Sequence, residues 1–408
     1  MWRYDAARAA IAPDDLPRDL HLQWVRQFPA PSAGWPETQA KLQYDGSYEP
    51  VVLGKRLFVA SMVSDSVTAY DTETGQEQWR FYTDGPVRLP PVAWEDRVAV
   101  VSDDGYLYCL EADTGRLVWK FRGGPADRRI LGNDRLISTW PARGGPVYLD
   151  GTVYFAAGIW PFMGIFIHAL DSGTGRVVWT NSGSGANYLK QQHDSSAFAG
   201  VAPQGCLAVA GKRLVVSGGR TVPAVYDLAT GEFRYFKVGE RTFGKDAGGH
   251  AVWTAGDWFF NGGVMYEASD GKGLLRTGGV LPGADALIGF DKGEIVGYDY
   301  WPSEREVYDR FGRKRKEDYL PDVWRATPDV PLARVFIRAG SRLYAEGRDG
   351  LVAAIDLPVE DDRARVSWQD HVEGKVWTML AADDRLFVVT EAGRLYCFGA
   401  AEADPVLH

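Results

Sequence analysis

The chain has 408 residues, 45% of them hydrophobic and 13% aromatic, and a formal net charge of −9. It is long and apolar enough to bury a large core, and its acidic balance excludes a nucleic-acid phosphate tracker or a polybasic membrane binder. Fifteen Trp and 47 Gly beside five Met suit many short strands joined by tight turns, with flat aromatics between sheets and glycines supplying positive φ.

The first residues, Met1-Trp2-Arg3-Tyr4-Asp5, lack the apolar run of a signal peptide, and no stretch reaches the ~18 apolar residues of a membrane helix. The expectation is a chain without membrane insertion, cytoplasmic as it stands, or periplasmic where an export signal has been removed. Residues 1–20 read as an extension. His21-Leu22-Gln23-Trp24-Val25-Arg26-Gln27-Phe28 follows as a strand with no inner strands before it.

From there a repeat sets in. Residues 57–81 run Leu-Phe-Val-Ala, Ser-Val-Thr-Ala-Tyr-Asp, Thr-Gly, then Gln-Glu-Gln-Trp-Arg-Phe, and 98–121 and 153–179 keep that order. Alternating apolar positions such as Val98, Val100, Leu107 and Cys109 predict strands with buried faces. The corners at Asp71–Gly75, Asp113–Gly115, Asp171–Gly175 and Asp227–Gly231 predict turns in which Asp or Thr bonds local amides and Gly takes the left-handed position. The aromatic after each corner (Trp79, Trp119, Trp179, Tyr235) falls on the outermost strand. A four-stranded sheet with two apolar faces needs a neighbour on each side, and radial packing supplies both. The repeat traces to 50–82, 86–121, 146–180, 201–237, 248–277, 282–325, 333–369 and 376–399. The last unit lacks an outer strand, and residues 21–28 complete it, leaving no unpaired edge. The reading is all-β: an eight-bladed propeller over 21–400 with four-stranded antiparallel blades and a tail at 401–408. Weak repeats between 248 and 325 keep seven blades open.

Cys109, Cys206 and Cys397 are odd in number and far apart and form no disulfide framework or metal spacing; Cys109 and Cys397, at the same place in two repeats, read as core thiols. The basic run Arg313–Lys316, followed by Glu317 and Asp318, reads as a solvated hairpin. Asp103-Asp104-Gly105 reads as a turn.

Three links between units are long: 122–145, 181–200 and 238–250. With the intervening loops they bring Arg128, Arg129, Arg135, Trp140, Arg143, Trp160, Phe162, Lys190, Arg220, Lys245 and His250 to one sector of one face. Arginines there suit carboxylate or phosphate, and the Trp rings suit stacking on a sugar. Tyr188 and His193 in the same sector are the candidate catalytic groups, able to abstract a proton beside a uronate carboxyl. No metal site is expected, since ligands from separate links have no metal-ligand spacing.

The cadence Gly-x-Leu/Val-x-Ala/Cys-Leu/Tyr-Asp-x-x-Thr-Gly-x-x-x-Trp resembles the pyrroloquinoline quinone (PQQ) repeat shared by quinoprotein dehydrogenases and the bacterial outer-membrane-assembly propeller. The resemblance implies an eight-bladed quinoprotein-like ring. Dehydrogenases of that kind hold the quinone between a Trp and a vicinal disulfide beside calcium. No Cys-Cys pair occurs here, so neither PQQ nor calcium is expected, and the chain sits closer to the non-catalytic assembly propellers. The leading expectation is a binding propeller for a protein partner or an anionic, sugar-like ligand, and a module of a longer protein also fits. A carbohydrate-active enzyme of lyase type is second, and a PQQ-dependent oxidoreductase third.

Overall fold

The computed structural model describes residues 3–190, 195–238, 248–283, 285–359 and 362–408. Among them stand eight four-stranded antiparallel units, the blades of one propeller, numbered here in chain order; the innermost strands of blades 3 and 4 also pair with each other in parallel, and blades 6, 7 and 8 each gain a short fifth strand. Blade 1 spans 51–82, blade 2 92–122, blade 3 144–181 and blade 4 205–237. Blade 5 spans 252–276, blade 6 281–328 and blade 7 332–371. Blade 8 takes its three inner strands from 376–399 and its fourth from His21–Gln27, where Trp24 lies opposite Cys397 and Val25 opposite Tyr396.

The burial of each strand follows its place in the blade. In blade 1 the middle strands, Arg56–Ser61 and Ser66–Asp71, are buried almost throughout, so both faces are apolar. The outer strand, Glu77–Tyr82, alternates exposed and half-buried positions and reads as polar with an aromatic rhythm. Continuous apolar runs inside and alternation outside are therefore one repeat seen at two radii.

The aromatic and the glycine of the repeat form a lock between neighbouring blades. Trp79 Nε1 donates to the Ala112 carbonyl at 3.0 Å, Trp119 to Ser172 at 3.1 Å and Trp179 to Leu228 at 3.1 Å. Each ring lies on the turn glycine of the next blade. A Cβ on Gly115 would stand 2.5 Å from the Trp79 ring, and one on Gly231 2.3 Å from Trp179. Trp24 locks blade 8 to Gly75 of blade 1, and Tyr235 locks blade 4 to Gly271 of blade 5. The turns are built as expected, with Asp71 Oδ1 accepting from the Thr74 amide at 2.8 Å. In blade 2 that place belongs to Glu111, which accepts from Thr114 Oγ1, while Asp113 pairs with Arg56 at 2.9 Å.

The lock stops after blade 5. The outer strand there is Gly273–Arg276 and carries no aromatic. Trp324 of blade 6 lies over Gly297 of its own blade. Trp368 of blade 7 donates to the Leu20 carbonyl at 2.7 Å, so the N-terminal segment stands in for a turn. Between the third and fourth strands of blade 6 a two-stranded arm, Ser303–Tyr308 with Lys314–Tyr319, replaces the short turn. Its basic residues face acidic partners: Lys314 meets Glu306 at 2.5 Å and Lys316 meets Glu304 at 2.6 Å.

One stretch, 3–50, closes both mouths of the ring. Residues 3–12 cross the mouth at the first hairpins of the blades, where the Val209, Thr254, Arg338 and Gly340 amides donate to the carbonyls of Ala6, Ala7, Ala10 and Ala12. Arg8 is buried in that plug and donates to the Leu207 and Pro146 carbonyls at 2.9 and 2.7 Å. Residues 29–50 return over the opposite mouth, on the face of the links.

Candidate functional site

The cap formed by 29–50 touches blades 2, 3, 4 and 8. Trp35 Nε1 donates to Gln204 Oε1 at 3.1 Å, Ser47 Oγ donates to the Thr390 carbonyl at 2.7 Å, and Asn133 Nδ2 donates to the Gly34 carbonyl. A buried charge cluster holds it from below. Arg143 binds Asp103 with two hydrogen bonds of 2.8 Å, Arg88 binds Asp103 at 2.7 Å, and Arg88 reaches Asp45 of the cap at 2.6 Å. All four side chains are at most 4% exposed, and two carboxylates balance two guanidiniums. Burial pushes the Asp103 carboxyl up, but the two arginines outweigh it and hold it below the ordinary carboxylate value; at Asp45 burial prevails and the pKa is raised. Asp103 is therefore more than a turn former. Asp104 beside it keeps the turn, accepting from the Tyr106 amide at 2.9 Å and from Tyr108 Oη at 2.6 Å.

The residues of the basic sector divide by direction. Arg143 is 1% exposed, its guanidinium held by Asp103 and by Asn133 Oδ1 at 2.8 Å. Arg135 pairs with Asp65, and Arg129 lies 3.6 Å from Asp84. Arg128, Lys190 and Arg220 are exposed. Trp140 is half-buried and donates to the Met163 carbonyl at 2.7 Å. His250 lies under the cap, edge-on to Tyr44, and is hydrogen-bonded to the Lys41 backbone. His193 and Lys245 lie outside the described residues.

What the same sector gathers at its surface is apolar. The 122–145 link forms a hairpin, Arg129–Gly132 with Arg135–Ser138, that carries Leu131 and Leu136 as an exposed cross-strand pair. The 181–200 link forms another, Asn187–Lys190 with Ser196–Ala199, on which Tyr188 and Phe198 meet edge-on at 5.2 Å. Between them the blade 3 loop presents Trp160 and Phe162, and Trp160 meets Trp35 of the cap edge-on at 6.3 Å. These six side chains range from 41% exposed at Trp160 to 80% at Phe162. Trp160, Phe162 and Tyr188 were legible in the sequence; Leu131, Leu136, Phe198 and Trp35 were missed. The signal for the first pair was present, because Asn133-Asp134 between apolar neighbours is a hairpin turn, and both residues take positive φ.

Two histidines, His168 in the core and the half-buried His250 beneath the cap, set a pH dependence. His168, 4% exposed, lies between Thr180 Oγ1 at 2.9 Å and the Gly123 carbonyl at 2.8 Å, which fixes Nε2 as the protonated nitrogen. Burial lowers His168 and His250 from the ordinary 6.5 to about 4. Below pH 6.5 the unfolded chain binds protons that the fold refuses, so stability falls from pH 6.5 to 4 and gains no such slope above 6.5. Replacing His168→Gln is expected to flatten urea-unfolding stability near pH 5 by about 1.4 kcal/mol per pH unit, one proton's worth. An unchanged slope would show that His168 is not the group responsible.

The residues over the axis do not fit a quinone with calcium. The cap places buried Leu42, Tyr44 and Asp45 there, and Asp45 and Asp103 are neutralised by arginines instead of converging on a cation. Among the described residues no group of three or more His, Cys, Asp or Glu is placed to hold a metal. The cysteines are separate and buried, with burial pushing Cys109 and Cys206 up to about 12.

Comparison with known proteins gives a family and a fold. The model of the family described as outer membrane protein assembly factor BamB matches residues 22–232. A polyvinylalcohol dehydrogenase of Sphingopyxis sp. (strain 113P3) is 28% identical over 187 residues, 42% of this chain and 25% of that protein. A tetrathionate hydrolase of Acidithiobacillus ferrooxidans is 30% identical over 152 residues, 36% of this chain and 28% of that protein. The match thus spans about a quarter of the length of these curated relatives. The solved structure of quinohemoprotein alcohol dehydrogenase ADHIIG from Pseudomonas putida HK5 superposes with a TM-score of 0.57 at 12% identity, covering 98% of this chain and 80% of that one. At that identity the likeness is one of fold.

Proposed function

Because this chain belongs to the outer membrane protein assembly factor BamB family, we propose that it is a non-catalytic protein-binding propeller whose recognition surface is the apolar cluster on the link face. The observation that carries the reading is the exposure of Leu131, Leu136, Trp160, Phe162, Tyr188 and Phe198 on three neighbouring loops. A contiguous exposed apolar patch rimmed by polar groups marks an interaction site, and aromatic anchors dominate protein interfaces. Arg128 and Arg129 flank the patch, so the fitting partner presents an apolar surface bordered by carboxylates. Tyr188 stands against Phe198, an apolar neighbourhood that favours contact over proton abstraction.

The test is a photo-crosslinking residue placed at Phe162 or Phe198, with Tyr308 on the distant arm as control, followed by affinity measurement for the captured protein. Phe162→Asp is expected to weaken that protein at least tenfold without changing the melting temperature, because a charge replaces an exposed anchor. Equal adducts from Tyr308, or equal affinity of the variant, would remove the reading.

A further inference from the structure

The seam between blades 6 and 7 is one of those without the Trp–Gly lock. Trp324 lies over Gly297 of its own blade, where a Cβ would stand 2.3 Å from the ring, and packs against the apolar cluster that blades 6 and 7 share. The turn it would cover begins Asp356-Leu357-Pro358-Val359 and carries no Thr-Gly corner. Two cavities open there. One, of about 480 Å³, is largely apolar, with Ile288, Trp324, Leu357 and Val359 in its walls and Asp285 and Arg338 as its charged members. The other, of about 780 Å³, is lined by Arg18, Arg342, Arg363 and Arg365 together with Asp15, Asp329 and Asp356. They share Ser341, Leu357 and Pro358, so an apolar slot runs into an arginine-rich mouth.

We infer that this seam binds an anionic amphiphile, with an aliphatic or aromatic body in the slot and a carboxylate or phosphate head in the mouth. The arginines of the mouth have different tasks. Arg342 is buried and donates to the Leu16, Pro17 and Arg18 carbonyls, which fixes the wall made by the N-terminal segment. Arg18 lies 3.7 Å from Asp356. Arg363 and Arg365 are exposed and make no ion pair among the described residues; both lie on the short stretch before the outer strand of blade 7, and their guanidiniums present forked donors suited to two anionic oxygens. Exposed arginines alone hold an anion weakly in water, so the apolar slot must supply the affinity. Ile288 is buried at its inner end, and each methylene that leaves water there multiplies affinity roughly fourfold. The site lies away from the link face and does not depend on the role proposed for it.

Titration calorimetry with the full chain tests both halves, using hexyl, octyl and decyl phosphate below their micelle concentrations, decanoate, inorganic phosphate and decyltrimethylammonium. Affinity is expected to rise at least tenfold from hexyl to decyl phosphate, with inorganic phosphate at least a hundredfold weaker than decyl phosphate. Comparing decanoate with decyl phosphate identifies the preferred head. The exposed pair Arg363→Glu/Arg365→Glu is expected to weaken decyl phosphate at least tenfold with the melting temperature unchanged. Trp324→Ala is expected to flatten the chain-length series. Equal binding of the cationic amphiphile, indifference to the arginine substitutions, or no binding of any alkyl anion would overturn the inference.

Discussion

Asp103→Ala is expected to lower unfolding stability by about 3–5 kcal/mol, read as a fall in the urea midpoint, because it leaves two guanidiniums buried without their shared carboxylate. Asp103 accepts from Arg143 at both oxygens and from Arg88 at one, and Arg88 also holds Asp45 of the cap. The loss is thus felt in blades 2 and 3 and in the cap together. Adding Arg143→Met to Asp103→Ala is expected to recover part of the loss, since the second change removes the uncompensated charge; members of one network are not additive. Asp103→Asn keeps an acceptor without the charge and should fall between. A cost below about 1 kcal/mol for Asp103→Ala would mean that water reaches the cluster and that the cap is held by its apolar contacts.

That cluster was not legible in the sequence, and the reason is physical. Asp45, Arg88, Asp103 and Arg143 come from the cap, one blade and two links, and nothing in the local pattern around any of them differs from a solvated charge. The cap itself, rich in Pro and Gly from Pro29 to Pro36, has neither a period of 2 nor of 3.6, so only tertiary contact reveals that it crosses the axis. The blades could be read because each strand carries its own period, and the turns because Asp, Thr and Gly act within five residues. The faint repeats between 248 and 325 have the same root: the Trp–Gly lock writes the strongest letters of the repeat, and it is absent where blades 5, 6 and 7 meet. Of the arginines expected to face a ligand in the basic sector, Arg135 and Arg143 turn to carboxylates, while Arg128 and Arg220 are exposed along with Leu131, Leu136, Phe162, Tyr188 and Phe198. Side-chain direction within a long link cannot be read from residue type alone.

The closing strand carries the other large effect. Trp24→Ala is expected to cost about 3–5 kcal/mol, the range for removing a buried large aromatic, and more than Trp119→Ala, whose ring holds the same kind of lock. Trp24 is 1% exposed, donates to the Thr72 carbonyl at 3.1 Å and packs 6.0 Å from Phe387. Trp119 is only partly buried and joins blades already connected by the chain. Trp24 packs Phe387 of blade 8 against the blade 1 turn at Thr72 and Gly75, so its loss weakens the seam where strands from opposite ends of the sequence meet, the contact that closes the longest loop of the ring. Hydrogen exchange should therefore quicken in Arg385–Gly399 while Arg97–Glu111 of blade 2 keeps its protection. Trp24→Phe, which retains most of the packing and loses the bond to Thr72, should cost about 1 kcal/mol for the hydrogen bond, plus whatever cavity the smaller ring leaves. Equal costs for Trp24→Ala and Trp119→Ala, with exchange quickened evenly around the ring, would show that the propeller unfolds as one unit and that its closing seam is no weaker than the rest.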